Sequence, residues 1–95
     1  MAKTKIVWST EALDTLDGIL EYIFEEWGIN SVLDLQNEIE RLIVAIGNNK
    51  KLCPDSKIIG LRKCVLSKQT SLVYRIVKSR LEIVTLVDNR SEQKY

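Results

Sequence analysis

Apolar side chains change their spacing twice along this chain, and each change marks a new kind of element. From Ala12 to Trp27 they recur every three or four residues (Ala12, Leu13, Leu16, Ile19, Leu20, Ile23, Phe24, Trp27), which lines one face of an α-helix. Ser9 or Thr10 stands ahead of this stripe as a cap, with Glu11 and Asp14 in the first turn, where the helix dipole favours negative charge. Gly18 costs about 1 kcal/mol of helix propensity relative to alanine, which a stripe this broad tolerates. Gly28 ends the helix as a residue able to take positive φ. A second stripe follows at Val32, Leu35, Ile39, Leu42, Ile43 and Ile46, with Asn30 or Ser31 as its cap and Gly47 as its stop. Two amphipathic helices joined by so short a link form an antiparallel hairpin. Trp8 and Trp27 read as packing residues rather than as platforms for stacked bases.

The period then changes to two. Lys5–Ser9 is a short strand candidate before the helices. After the polar loop at Asn48–Lys51, Pro54 keeps the chain out of helix, and a strand pattern begins at Ile58, with Gly60 as a turn or bulge. Lys63, Val65 and Ser67 alternate with Cys64, Leu66 and Lys68, and Gln69-Thr70 connects to the next strand. In Ser71–Val77, Leu72, Tyr74 and Ile76 take one face, while Val73, Arg75 and Val77 take the other. Lys78-Ser79-Arg80 is a hairpin turn into Leu81–Val87, and Asp88-Asn89-Arg90 is a charged exit. The expected architecture is α+β: an N-terminal strand, a helical hairpin, then three antiparallel strands, with the helices on one face of a small antiparallel sheet.

Ninety-five residues make one domain, 1–95. The longest apolar runs fall far short of the roughly 20 residues a membrane helix needs, and Met1–Lys5 lacks the apolar core of a signal peptide. No membrane association and a cytoplasmic location are therefore expected. Cys53 and Cys64 are too few for a disulfide framework and have no histidine to activate them, so both read as inert thiols. Two cysteines and no histidine also fall short of the ligand set of a structural metal site, so none is expected, and no cofactor is expected.

Charge divides the chain. Up to Gly47 there are three cations against nine anions; from Asn48 onward there are eleven against four. A basic C-terminal half points to phosphates or to an acidic protein as partner, although surface strands also carry lysine simply to blunt their edges. The absence of histidine removes the usual triads. Lys, Arg and Tyr remain, and these suit a phosphodiester: a lysine of lowered pKa as base, cations for the charge building on phosphorus, a tyrosine as proton donor. The candidates are Lys63, Lys68, Arg75, Arg90, Lys94 and Tyr95, with Lys63, Arg75 and Arg90 gathering on the sheet face away from the helices if the register permits. An arginine among apolar neighbours, as Arg75 is, is usually paired or functional.

The order and spacing of several short stretches resemble the RelE/ParE superfamily of bacterial type II toxins. They are the strand before Ser9-Thr10-Glu11-Ala12, the Ile23–Gly28 helix end, Pro54, Gly60-Leu61-Arg62-Lys63, Ser71–Ile76 and Leu86–Arg90. The resemblance implies one of two activities. RelE-like members cut mRNA on the ribosome with a Lys/Arg cluster and a C-terminal tyrosine; carried over, these are Lys63, Lys68, Arg75, Arg90 and Tyr95 as catalytic residues. ParE-like members are not nucleases and inhibit DNA gyrase. The Arg90–Tyr95 tail looks RelE-like, and the long hairpin ending in Trp27-Gly28 looks ParE-like. Ribosome-dependent mRNA cleavage is the leading expectation, with gyrase inhibition or an inactive, antitoxin-binding member as alternatives. In every case the resemblance implies a cognate antitoxin whose acidic C-terminal segment covers the basic face.

Overall fold

A computed structural model describes residues 4–90 and 94–95. Residues 1–3, where no signal peptide is expected, and 91–93, in the tail between Arg90 and Tyr95, lie outside the described residues. The elements run β1 (Lys5–Trp8), α1 (Thr10–Trp27), α2 (Ile29–Asn48), β2 (Arg62–Val65), β3 (Thr70–Val77) and β4 (Arg80–Asp88). The sheet order is β1-β4-β3-β2. The last three strands pair antiparallel, as their short turns require, while β1 lies parallel to β4 and makes the sheet mixed. No helix among the described residues is long and apolar enough to cross a membrane.

Ser9 is the cap of α1: its Oγ accepts from the Ala12 N–H at 2.9 Å. Gly28, at φ 89°, ends α1 and also stands in front of α2, so one residue joins the two helices. That single-residue link corrects the expected cap at Asn30 or Ser31, both of which lie inside α2; a glycine at positive φ reverses the chain without extra loop. The α2 stripe is the core stripe: Val32, Leu35, Ile39 and Ile46 are buried, and Leu42 and Ile43 pack beside them. In α1, Leu16, Ile19, Leu20 and Ile23 face the core, whereas Leu13, Phe24 and Trp27 are about half exposed. Trp27 is thus not a packing residue; it meets Tyr22 edge-on, with ring centroids 5.9 Å apart. The stripe is broader than the sheet it covers.

Leu72, Tyr74, Leu81, Ile83 and Leu86 form the sheet's half of the core, each contributing about 1.5–3 kcal/mol by burial. Leu81 and Ile83 share a face with Leu86 because β4 carries a bulge. Val73 pairs with Thr85 and Tyr74 with Ile83, leaving Val84 as the extra residue. An extra residue in a strand reverses which positions face the core beyond it. Helix α1 is fastened at this irregularity: Ser9 Oγ donates to the Val84 carbonyl at 2.6 Å, and Thr15 Oγ1 accepts from the Leu86 N–H at 3.1 Å.

The segment before β2 departs from its expected strand. Ile58–Leu61 is a turn with Gly60 at φ 87°, and only Arg62–Val65 pairs with β3. Cys53 and Cys64 are bonded to each other, with Cα atoms 5.3 Å apart. This corrects their reading as separate inert thiols. The cause is the fold-back after Pro54: Lys63 N–H donates to the Pro54 carbonyl and Asp55 bridges to Arg62, bringing Cys53 onto the core face of β2.

Candidate functional site

The structure sets the six candidate residues in four places. Lys63 on β2 and Arg75 on β3 share the face turned away from the helices; Lys63 lies opposite Val73, two residues from Arg75. Arg75 is engaged at once, with Nε 2.6 Å from Glu82 on the adjacent strand. Arg80 reaches the other oxygen of the same carboxylate at 3.3 Å. The centre of this face is not an open basic surface: Ser71, Val73 and Thr85 are buried there.

Arg90 is elsewhere. Its Nε and Nη2 grip Asp88 at 3.1 and 2.8 Å, and its guanidinium carbon sits 5.7 Å from the centroid of the Tyr22 ring on α1. The Val84 bulge explains the position. With strict alternation from Glu82, Asp88 would point outward with Lys63 and Arg75; the extra residue turns it to the helix side, opposite buried Thr70, and Arg90 follows. The Arg90 hydrogen bonds hold the Asp88 carboxyl below the usual carboxylate range, and the same contacts, with that to Tyr22, raise the already high guanidinium value. Asp88, Arg90, Thr15, Tyr22 and Gln69 line a cleft of about 400 Å³.

Lys68 lies exposed in the β2–β3 turn. It borders a groove of about 450 Å³ whose walls are Ile23, Trp27, Leu35 and Leu66, with Asp34 and Glu38 on the α2 side. The chain end returns to the segment before β2, where the Tyr95 carbonyl accepts from the Lys57 N–H at 2.8 Å, and the Lys94 ammonium lies 5.3 Å from the Tyr95 ring. General acid–base cleavage of a phosphodiester needs its base, its acid and its cations within hydrogen-bond reach of one reacting group. Here Lys63 and Arg75 share a face, while Arg90 and Lys68 border adjoining grooves on the helix side that share Ile23, Gln69 and Thr70.

Two participants escaped the sequence reading. Asp88 as the Arg90 partner had a local signal, the two-residue spacing of opposite charges just past a strand. Tyr22 had none, because its meeting with Arg90 depends on the bulge and on how α1 crosses β4.

No protein-family model and no curated sequence matches the chain. Solved structures do. A chain of the chromosomal ParDE toxin–antitoxin system from P. aeruginosa aligns with TM-score 0.76 at 18% identity, covering 90% of this chain and 96% of that one. The YoeB dimer from Staphylococcus aureus aligns at 0.65 and 17%, covering 90% and 97%. YafQ from E. coli aligns at 0.63 and 14%, covering 93% and 96%.

Proposed function

We propose, for a chain that has the fold of the RelE/ParE-superfamily toxins, that it is the toxin of a type II toxin–antitoxin pair and acts by binding its target, with DNA gyrase as that target. The observation that carries the non-cleaving mode is the position of Arg90: latched to Asp88 and laid on Tyr22 of α1, across the sheet from Lys63 and Arg75. That placement, with Lys63 and Arg75 on the other face of the sheet, supports a binding mode. The helical hairpin of 18- and 20-residue helices joined by Gly28 supports the same reading, as does the likeness to the ParDE chain.

The partner in this reading is an antitoxin, and solved neighbours include the DinJ-YafQ toxin–antitoxin complex from E. coli. The groove between the hairpin and the β2–β3 turn offers an apolar floor at Ile23, Leu35 and Leu66 with Lys68 at its rim, which suits an amphipathic segment carrying acidic residues.

Ribosome-dependent mRNA cleavage is the second reading, favoured by one observation: Lys63 and Arg75 share a face, and Tyr95 docks beside the segment that leads into Lys63. Growth of a bacterial host separates the two. Expressed alone, the chain is expected to arrest growth, and a variant combining Lys63→Ala, Arg75→Ala and Tyr95→Phe is expected to arrest it within about twofold of wild type. Loss of arrest in that variant, with folding verified by circular dichroism, transfers the case to cleavage. Normal growth with the wild-type chain removes the toxin reading itself.

A further inference from the structure

A second basic concavity lies where the chain leaving α2 folds back on the start of β2, away from Lys68 and Arg90. It encloses about 310 Å³ and is lined by Lys50, Lys51, Arg62 and Arg75, with Asp55 as the carboxylate among its lining residues and Gly60 at its lip. Arg75 borders the notch but its guanidinium is held by Glu82; the remaining three, Lys50, Lys51 and Arg62, repel each other around one small volume, and an anion placed among them gains from all three.

Its walls are held in place by contacts that the core itself supplies. Tyr74, wholly buried, donates its hydroxyl to the Lys50 carbonyl at 2.9 Å. Burial pushes that phenol's pKa up, against smaller lowering effects from the Cys53 main chain and Arg62. Arg62 donates Nη1 to the Cys53 carbonyl at 2.6 Å, and Cys53 is bonded to Cys64 on β2. Ser56 N–H donates to the Leu61 carbonyl at 2.8 Å, closing the turn that carries Gly60. The opposing charge is weakly held: Asp55 lies 3.4 Å from Arg62, and its side chain is 84% exposed. The Lys50 ammonium reaches only the Gly47 carbonyl, at 3.2 Å, and Lys51 has no ion pair among the described residues.

We propose that this notch is a binding site for linked phosphates, either a free polyphosphate group or consecutive phosphates of a nucleic-acid strand. Arg62, oriented by Cys53, presents the fixed fork of a guanidinium to one phosphate; Lys50 and Lys51, flexible point charges at the mouth, close on the next. The three binding cations do not include Lys63, Lys68, Arg75, Arg90 or Tyr95, so the site stands or falls separately from either toxin mechanism.

Calorimetric titration of the full chain with inorganic tripolyphosphate at low salt tests it. Saturable binding of one anion per chain is expected, weakening as salt rises. Lys51→Gln, at an exposed position that leaves the core untouched, is expected to weaken it about threefold, and Lys51→Gln with Lys50→Gln about tenfold or more. Lys68→Gln is expected to change it less than twofold. Absence of saturable binding overturns the proposal, as does a Lys68→Gln loss equal to that of Lys51→Gln, which marks diffuse surface charge. A short single-stranded oligonucleotide added in competition assigns the source: displacement of tripolyphosphate points to strand phosphates, and no displacement to a free polyphosphate.

Discussion

Arg90 is bound twice, by charge to Asp88 and by its flat face to Tyr22, and both contacts follow from where β4 ends. The first has a pH signature. The Asp88 carboxyl is held below its ordinary value by the Arg90 hydrogen bonds, so the latch is fully formed above the unfolded-state pKa and weakens as pH falls through the lower folded-state value. Carboxyl NMR is expected to give Asp88 a midpoint below that of an unpaired aspartate, and Arg90→Gln to bring it back up. An unchanged midpoint in Arg90→Gln shows that the latch does not form in solution. Ser9 carries a second residue-scale expectation. Its one hydroxyl caps α1 and also satisfies the Val84 carbonyl at the bulge. Ser9→Ala is therefore expected to cost about 1–2 kcal/mol in urea unfolding, and Ser9→Thr much less. The cap was legible from its spacing to Glu11 and Asp14, since capping is local. Its second bond, to Val84, was not, because nothing near Ser9 encodes which carbonyl lies overhead.

Among the elements, the helices and the phase of β3 were readable because each rests on a repeated period: the α2 stripe, and Leu72, Tyr74 and Ile76 on one side of a strand. Two features defeated the same reasoning. In β4 the run Leu81–Val87 is apolar on both faces, so alternation gave no hint that Val84 is extra, and the expected gathering of Arg90 with Lys63 and Arg75 was lost with it. In the segment before β2, Ile58 and Ile59 looked like strand residues, yet Ile59 is wholly exposed on a turn. What organises that segment is the Cys53–Cys64 bond, closing a loop with a sequence separation of 11. By chain entropy such a closure contributes about 3 kcal/mol. The unfolding free energy measured in urea is expected to fall by about that amount in a Cys53→Ser, Cys64→Ser variant, and the same shift of the transition to lower urea is expected on adding a thiol reductant to the wild type. No shift with reductant means that the bond is absent from the folded protein.

At the level of the molecule, the division of charge seen in the sequence becomes a division of surfaces. The acidic helices lie on one side of the sheet and the basic strands contribute several separate positive features rather than one. Arg75 and Arg80 converge on Glu82, Lys68 stands at the rim of the apolar groove, and Arg90 is folded against α1. Net charge and its asymmetry are sums over residues and survive any fold; convergence of side chains depends on register, which one bulge changed. A protein that grips a partner works with dispersed contacts, whereas a nuclease needs its groups at one phosphorus. The most direct measurement is therefore DNA gyrase supercoiling with increasing amounts of the purified protein, run beside primer extension of an mRNA in a translating extract. The account predicts that supercoiling is inhibited in a saturable way while the message stays intact. Supercoiling that continues at saturating protein, with new codon-positioned breaks in the mRNA, would contradict it.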